Sequence, residues 1–272
     1  MSQAMPSFDA LVLKDELIQA RVGASFERQL RKMPPATTAL VTACLLMHLA
    51  TGVSDLLMGQ TELLGVIVDA RSTPSLLLFG GREHGMVAGG ELWRLLSCVF
   101  LHADGLHILL NGVALFGLGR LCEAVWGSLR MSVIFVVAGL AGSVLSQAGG
   151  VELSVGASGG VFGLLGAGAV FGFKAKNQLP AGLRRVFGRG LVPWIVLNLA
   201  IGLFVPRIDN LGHLGGLIGG VILGLILADR VLPSSQASSR VDGFMGVSLG
   251  AVLALTLGQV IRELLWVGLG VG

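Results

Sequence analysis

The sequence predicts an all-α polytopic membrane protein, and three observations carry that prediction. Hydrophobic residues make up 53% of the 272 and charged residues only 13%, whereas about a quarter of the residues in ordinary soluble domains are charged. Mean hydropathy is +0.82. Apolar stretches recur along the chain at close to the roughly 20 residues that a helix needs to cross a bilayer.

Residues 1–35 carry Asp9, Asp15, Glu16 and Glu27 among their basic residues and contain no apolar core. That pattern fits neither a secretory signal nor a mitochondrial presequence. A cytoplasmic N-terminal cap, partly helical, is expected there. Seven apolar spans follow, at 37–58, 106–126, 131–149, 158–173, 191–205, 212–228 and 244–261. The fourth is short. Residues 59–105 are partly apolar but too irregular for a span, and predict short helices in or near the interface, anchored by Trp93 and Arg94. The sixth span carries Gly212, Gly216, Gly220 and Gly224 at spacing four, with Gly215 and Gly219 beside them. Small residues at this spacing let helix backbones approach closely in lipid, so the sixth helix should press against a neighbour. Cys44, Cys98 and Cys122 have no metal-type spacing and read as small buried hydrophobes.

Charge orients the spans. With a cytoplasmic N-terminus, only Arg71, Arg82, Arg94, Arg207 and Arg262 of the 19 Lys and Arg fall on the outer side. The connection after the fourth span holds Lys174, Lys176, Arg184, Arg185 and Arg189 and no acid. Cytoplasmic loops collect positive charge in this way. A plasma membrane location, the inner membrane of a bacterium, is expected. No basic run with interleaved aromatics supports nucleic-acid binding.

Polar side chains inside apolar spans are costly and mark the protein interior or a wet cavity. The informative ones are His48 in the first span, His107 and Asn111 in the second, Ser158 in the fourth, Asn198 in the fifth and His213 in the sixth. In the predicted orientation the second, fourth and sixth spans all begin at the outer face, so His107, Ser158 and His213 share one depth just below it. A serine hydroxyl is unreactive until a base takes its proton, and a neutral imidazole suits that task. His107 and Asn111, four residues apart, project from one helix face and can donate to a developing oxyanion. The Ser158 amide, in a first helical turn, adds a third donor. Gly156 and Gly159 permit a tight turn and close approach. Taken singly, each group has a plainer reading: a serine that packs, or a histidine or asparagine that joins helices. Their coincidence at one depth favours the chemical reading.

The motifs and their order resemble the rhomboid family of intramembrane serine proteases. "GASG" at Gly156 to Gly159 is similar to the family's nucleophile motif, "GHLGG" at Gly212 to Gly216 to its histidine motif, "HILLN" at His107 to Asn111 to its oxyanion motif, and "ELWRLL" to the Trp-Arg motif of its first loop. Glu123 sits where the family often carries a structural glutamate. The resemblance implies a six-helix bundle, here with one additional C-terminal transmembrane helix. The expected division is a cap at 1–35, a catalytic core at 36–229, and a linker with the seventh helix at 230–272. It makes Ser158 the nucleophile and His213 the general base and acid, with Gly156, Gly159, Phe162, Trp93, Arg94 and Glu123 in support. Phe162 stands where some members place a tyrosine against the catalytic ring; it can stack but cannot donate a hydrogen bond.

The implied activity is hydrolysis of peptide bonds in or near transmembrane segments of other membrane proteins, with the active site open to the outer face. The resemblance implies sideways substrate entry between the second and fifth helices, where Trp194 is a gate candidate. No cofactor is expected. His84, His102 and His107 lack the motif and acid ligand of a metal site, so no metal partner is expected either. Asp209, four residues before His213, reads as a solvated partner of Arg207 and not as a third catalytic acid. Two rival readings are a non-proteolytic rhomboid-like protein that binds client helices and a transporter. The first predicts loss of Ser158 or His213. The second favours polar groups spread through the bilayer depth and repeated halves.

Overall fold

The computed structural model describes residues 8–232 and 239–268. Helix α1 spans Phe8–Leu30 and α2 spans Pro35–Leu57. Four short helices follow: α3 at Gly65–Val68, α4 at Thr73–Leu78, α5 at His84–Ala88 and α6 at Arg94–Ser97. Then come α7 at Gly105–Trp126, α8 at Ser128–Ala148, α9 at Ser158–Lys174 and α10 at Ala181–Val186. The series ends with α11 at Val192–Phe204, α12 at Asn210–Ile226 and α13 at Ser239–Gly268.

Among the described residues five stretches are long and apolar enough to cross a membrane: Pro35–Leu57, Gly105–Trp126, Ser128–Ala148, Ala181–Phe204 and Asp242–Leu265. Helices α9 and α12 are apolar but only 17 residues long. At about 1.5 Å per residue each reaches about 26 Å, short of the roughly 30 Å hydrocarbon layer. Short helices of this kind belong inside a bundle, where protein and not lipid surrounds their ends.

The packing fits that argument. Helix α9 is buried along most of its length, from Gly160 to Gly172. Glycines set the closeness of its contact with α12. A Cβ at Gly216 would overlap the Gly159 carbonyl, one at Gly220 would overlap Gly163, and one at Gly224 would press on Ala167. Gly215 and Gly219 face α8 at Ala141 and Ala138. The glycine stripe therefore presses α12 against two neighbours at once, with alternate glycines serving each. Large apolar side chains are left on the outer surfaces, including Leu106, Leu109, Leu110 and Val113 of α7 and Trp194, Val196 and Phe204 of α11. A surface so apolar is suited to lipid, and the chain is a multi-pass integral membrane protein.

Helix starts follow local chemistry. Asp104 caps α7 by accepting from the His107 amide at 2.7 Å, and Asp209 caps α12 by accepting from the Gly212 amide at 2.8 Å. Such caps satisfy the first-turn amides, which have no partner within the helix. Helix α9 differs: Ala157 holds its cap position and no side chain accepts from its first turn. Between α7 and α8 the chain turns at Gly127, whose φ of 77° lies in the region glycine favours.

The long first loop folds as the expected short helices, but its anchoring differs from expectation. Arg94 is buried and does not reach for the interface. Its guanidinium donates to Glu91 at 2.7 Å and to the carbonyls of Leu77 at 2.5 Å and Gly81 at 3.2 Å, and lies over the Trp93 ring at 4.6 Å. The pair knots the loop internally. A two-residue antiparallel ladder, β1 at Arg82–Glu83 with β2 at Leu153–Ser154, ties the loop to the segment that leads into α9. Fully buried Arg82 reinforces it, donating to Gln147 at 2.9 Å and to the Val151 carbonyl at 2.8 Å. A pairing this short leaves no alternation in the sequence to detect.

Candidate active site

Ser158 is the first residue of α9, half-buried, and follows Gly156 at a φ of 136°. That backbone conformation suits glycine and few other residues. The space demands it as well: a Cβ at Gly156 would lie 2.9 Å from Nε2 of His107 and 3.7 Å from Oγ of Ser158. The serine hydroxyl and the His107 ring thus border one small volume.

His213 lies in the first turn of α12, and its ring is buried. Phe162, one turn beyond Ser158 on α9, stacks on it with centroids 4.3 Å apart and planes inclined by 16°. The tight α9–α12 contact begins at this level, where Gly159 meets the Gly212 carbonyl. The imidazole is therefore held against the first turns of α9 by packing from one side. Its Nδ1 is buried and bonds no described residue.

His107 is oriented through its other nitrogen. Nδ1 accepts from the Ala103 amide at 3.3 Å, which leaves the proton on Nε2, the atom that faces the Gly156 volume. Asn111 is buried one turn later, and its Nδ2 donates to the His107 carbonyl at 3.0 Å. One amide hydrogen is thus committed to its own helix, leaving the second as its donor for any other partner.

The structure brings Ser158, His213, His107, Gly156, Gly159 and Phe162 to one end of the bundle. Glu123 lies at the other end, where its carboxylate accepts from the Ala36 and Thr37 amides and from the Thr37 and Ser128 hydroxyls. It fastens the starts of α2 and α8 to α7. Trp93 and Arg94 knot the first loop as described. His48 joins α2 to the loop, with Nε2 at 2.9 Å from the Ile67 carbonyl and 2.8 Å from the Arg71 guanidinium. Asn198 donates, among the described residues, only to the Trp194 carbonyl on its own helix.

Asp209 departs from expectation. It forms no ion pair with Arg207 among the described residues. Besides capping α12, it accepts from the Ser154 hydroxyl at 2.6 Å and from the Ser146 hydroxyl. It joins α8, the α9 entry and α12. The sequence hid this because both serines are distant in the chain.

His102 is the residue that reading for metal ligands undervalued. It is fully buried, its Nε2 accepts from the Ala157 amide at 3.5 Å, and its ring meets His107 edge-on at 5.1 Å. It supports both the turn before Ser158 and the His107 ring. Burial, reinforced by the neighbouring His107 and His48, pushes its imidazole down to about 3, so it stays neutral.

Short internal helices and a packed, loop-covered end of the bundle define a recognisable class. The family model for the Rhomboid domain matches residues 89–230, a little over half of the chain, and the chain belongs to the rhomboid family. It is 39% identical over 162 residues to RHOMBOID-like protein 5 of Arabidopsis thaliana, covering 58% of this chain and 52% of that one. To Rhomboid protease GluP of Bacillus subtilis it is 36% identical over 169 residues, covering 62% of this chain and 32% of the relative. Rhomboid protease AarA of Providencia stuartii matches at 27% over 180 residues, covering 58% and 63%. The chain thus spans about half the length of the first of these relatives and about a third of the second.

Proposed function

We propose that the chain is an intramembrane serine endopeptidase that cuts peptide bonds in or near transmembrane segments of other membrane proteins. The single observation that carries the reading is the seating of His213 on Phe162, one turn from Ser158, on two helices in glycine-tight contact. Ser158 Oγ attacks the scissile carbonyl as His213 takes its proton. The tetrahedral oxyanion is held by His107 Nε2–H, by the free Asn111 amide hydrogen and by the amides of the uncapped first turn of α9, whose dipole adds to the effect. His213 then protonates the leaving amine, and a water repeats the sequence on the acyl-enzyme. A buried His213 Nδ1 that accepts from or donates to no described residue, carboxylates included, supports a two-residue mechanism.

On this reading the core is a six-helix bundle over residues 36–229 with a cap before it and a seventh helix after it. The N-terminus is cytoplasmic and the site opens to the outer face. Three of the five Lys and Arg counted on that side, Arg71, Arg82 and Arg94, are buried in hydrogen bonds. They are structural and not loop charges, which sharpens the asymmetry. Helix α11 has no buried residue, and Trp194 on it is exposed, in keeping with a helix that yields to a substrate entering sideways.

Ser158→Ala and His213→Ala are each expected to abolish cleavage of a transmembrane reporter while leaving the chain folded and inserted. Cleavage at the normal rate by either variant would overturn the assignment of Ser158 and His213 as the catalytic pair.

A further inference from the structure

At the end of the bundle opposite Ser158 lies a cavity of about 270 Å³, bordered by Lys32, Arg120, Glu123, Ser128 and Arg230. Its place follows from α7: His107 and Glu123 sit on that helix, about 24 Å apart at about 1.5 Å per residue. The cavity is therefore near the opposite boundary of the hydrocarbon layer. Its three cations come from three parts of the chain, the α1–α2 connection, α7 and the segment after α12.

Among the described residues neither Lys32 nor Arg120 forms an ion pair, and Arg230 shares Asp242 with Arg130. Among the described residues Glu123 is the one acid bordering the cavity, and its four acceptor positions are filled by neutral donors, two amides and two hydroxyls. The Lys32 amide donates to the Gln29 carbonyl at 3.1 Å, and its ammonium bonds no other described residue. Arg120 donates once, to the Leu30 carbonyl at 2.9 Å. Arg230 has a long contact of 3.7 Å with Asp242, and its guanidinium lies across Gly127, where an added Cβ would sit 2.6 Å from it. Three positive groups at the mouth of a cavity far larger than a single water define a site for a multiply hydrogen-bonding anion.

We propose that this basic cavity binds a phosphate-bearing anion, either the headgroup of an anionic phospholipid or free phosphate, and that the anion clamps α1, α7 and the segment leading to α13. Basic pockets between transmembrane helices suit such headgroups. The test uses the full chain in neutral detergent and does not depend on proteolysis. One arm adds phosphatidylglycerol or phosphatidylcholine and counts retained lipids by native mass spectrometry. The other titrates inorganic phosphate against chloride at matched ionic strength and follows the thermal midpoint. Selective retention of phosphatidylglycerol identifies the lipid source. A saturable rise with phosphate and no selective retention identifies the free anion. In both cases Lys32→Gln with Arg120→Gln should weaken binding roughly tenfold or more, and Lys32→Arg with Arg120→Lys should restore it. Should the neutral pair fail to fold, Lys32→Gln alone serves, since that side chain bonds no other described residue. Absence of selectivity in both arms, or equal binding by the neutralised variant, overturns the proposal.

Discussion

At the scale of single residues, the arrangement depends on rings held in one orientation. Phe162 supplies only a flat face to His213, and a stacked pair of this kind contributes about 0.5–1.5 kcal/mol beyond area burial. Phe162→Ala should therefore lower kcat about tenfold with a smaller change in KM, and Phe162→Tyr should retain activity; equal kcat for the alanine variant would show that packing does not orient the imidazole. His102 makes a pH prediction. Its folded pKa lies below its unfolded value of about 6.5, so the stability it contributes is fully present above that value and is lost as pH falls toward about 3. The thermal midpoint should drop across that window, and His102→Gln, which keeps an acceptor but does not titrate, should flatten the drop. A curve unchanged by the substitution would assign the acid sensitivity elsewhere.

At the scale of elements, the same substitution should have opposite effects on two glycines. Gly216→Ala drives a methyl into the Gly159 carbonyl, and overpacking of this kind costs about 1–3 kcal/mol. Gly117→Ala meets nothing within 4 Å and gains helix propensity, worth up to about 1 kcal/mol. Denaturation midpoints of the two variants check this, and equal shifts would mean that α12 is not glycine-limited. The sequence made this contact legible, since a four-residue glycine period has few other uses in an apolar helix. It also showed most helix ends to within a few residues: the expected span at 106–126 is α7 at Gly105–Trp126, and 158–173 is α9 at Ser158–Lys174. It did not show the Arg82 ladder, the Asp209 junction or the support His102 lends. Each is a long-range polar contact that no local period encodes. Arg94 misled for a related reason: an Arg beside a Trp has the composition of an interfacial anchor, and only the fold brings the Leu77 and Gly81 carbonyls to its guanidinium.

At the scale of the molecule, the two ends of the bundle have different work. One end gathers Ser158, His107 and His213 beneath a loop fixed by buried arginines. The other carries Glu123, the basic cavity and the Arg130–Asp242 pair at 2.8 Å, which fastens the start of α13 to α8. If these ends lie at opposite membrane surfaces, single cysteines replacing Leu63 and Lys176 should react with an impermeant maleimide from opposite sides of a sealed vesicle. The native cysteines are all buried and should stay silent. Labelling of both positions from one side would contradict the orientation.

The most direct test of the central claim, that His213 activates Ser158, is to treat the detergent-solubilised chain with a fluorophosphonate and locate the adduct by peptide mass spectrometry. The account predicts one adduct on Ser158, and its loss in His213→Ala although the serine is still present. Modification of Ser158 at an undiminished rate without the imidazole, or an adduct on another residue, would contradict it.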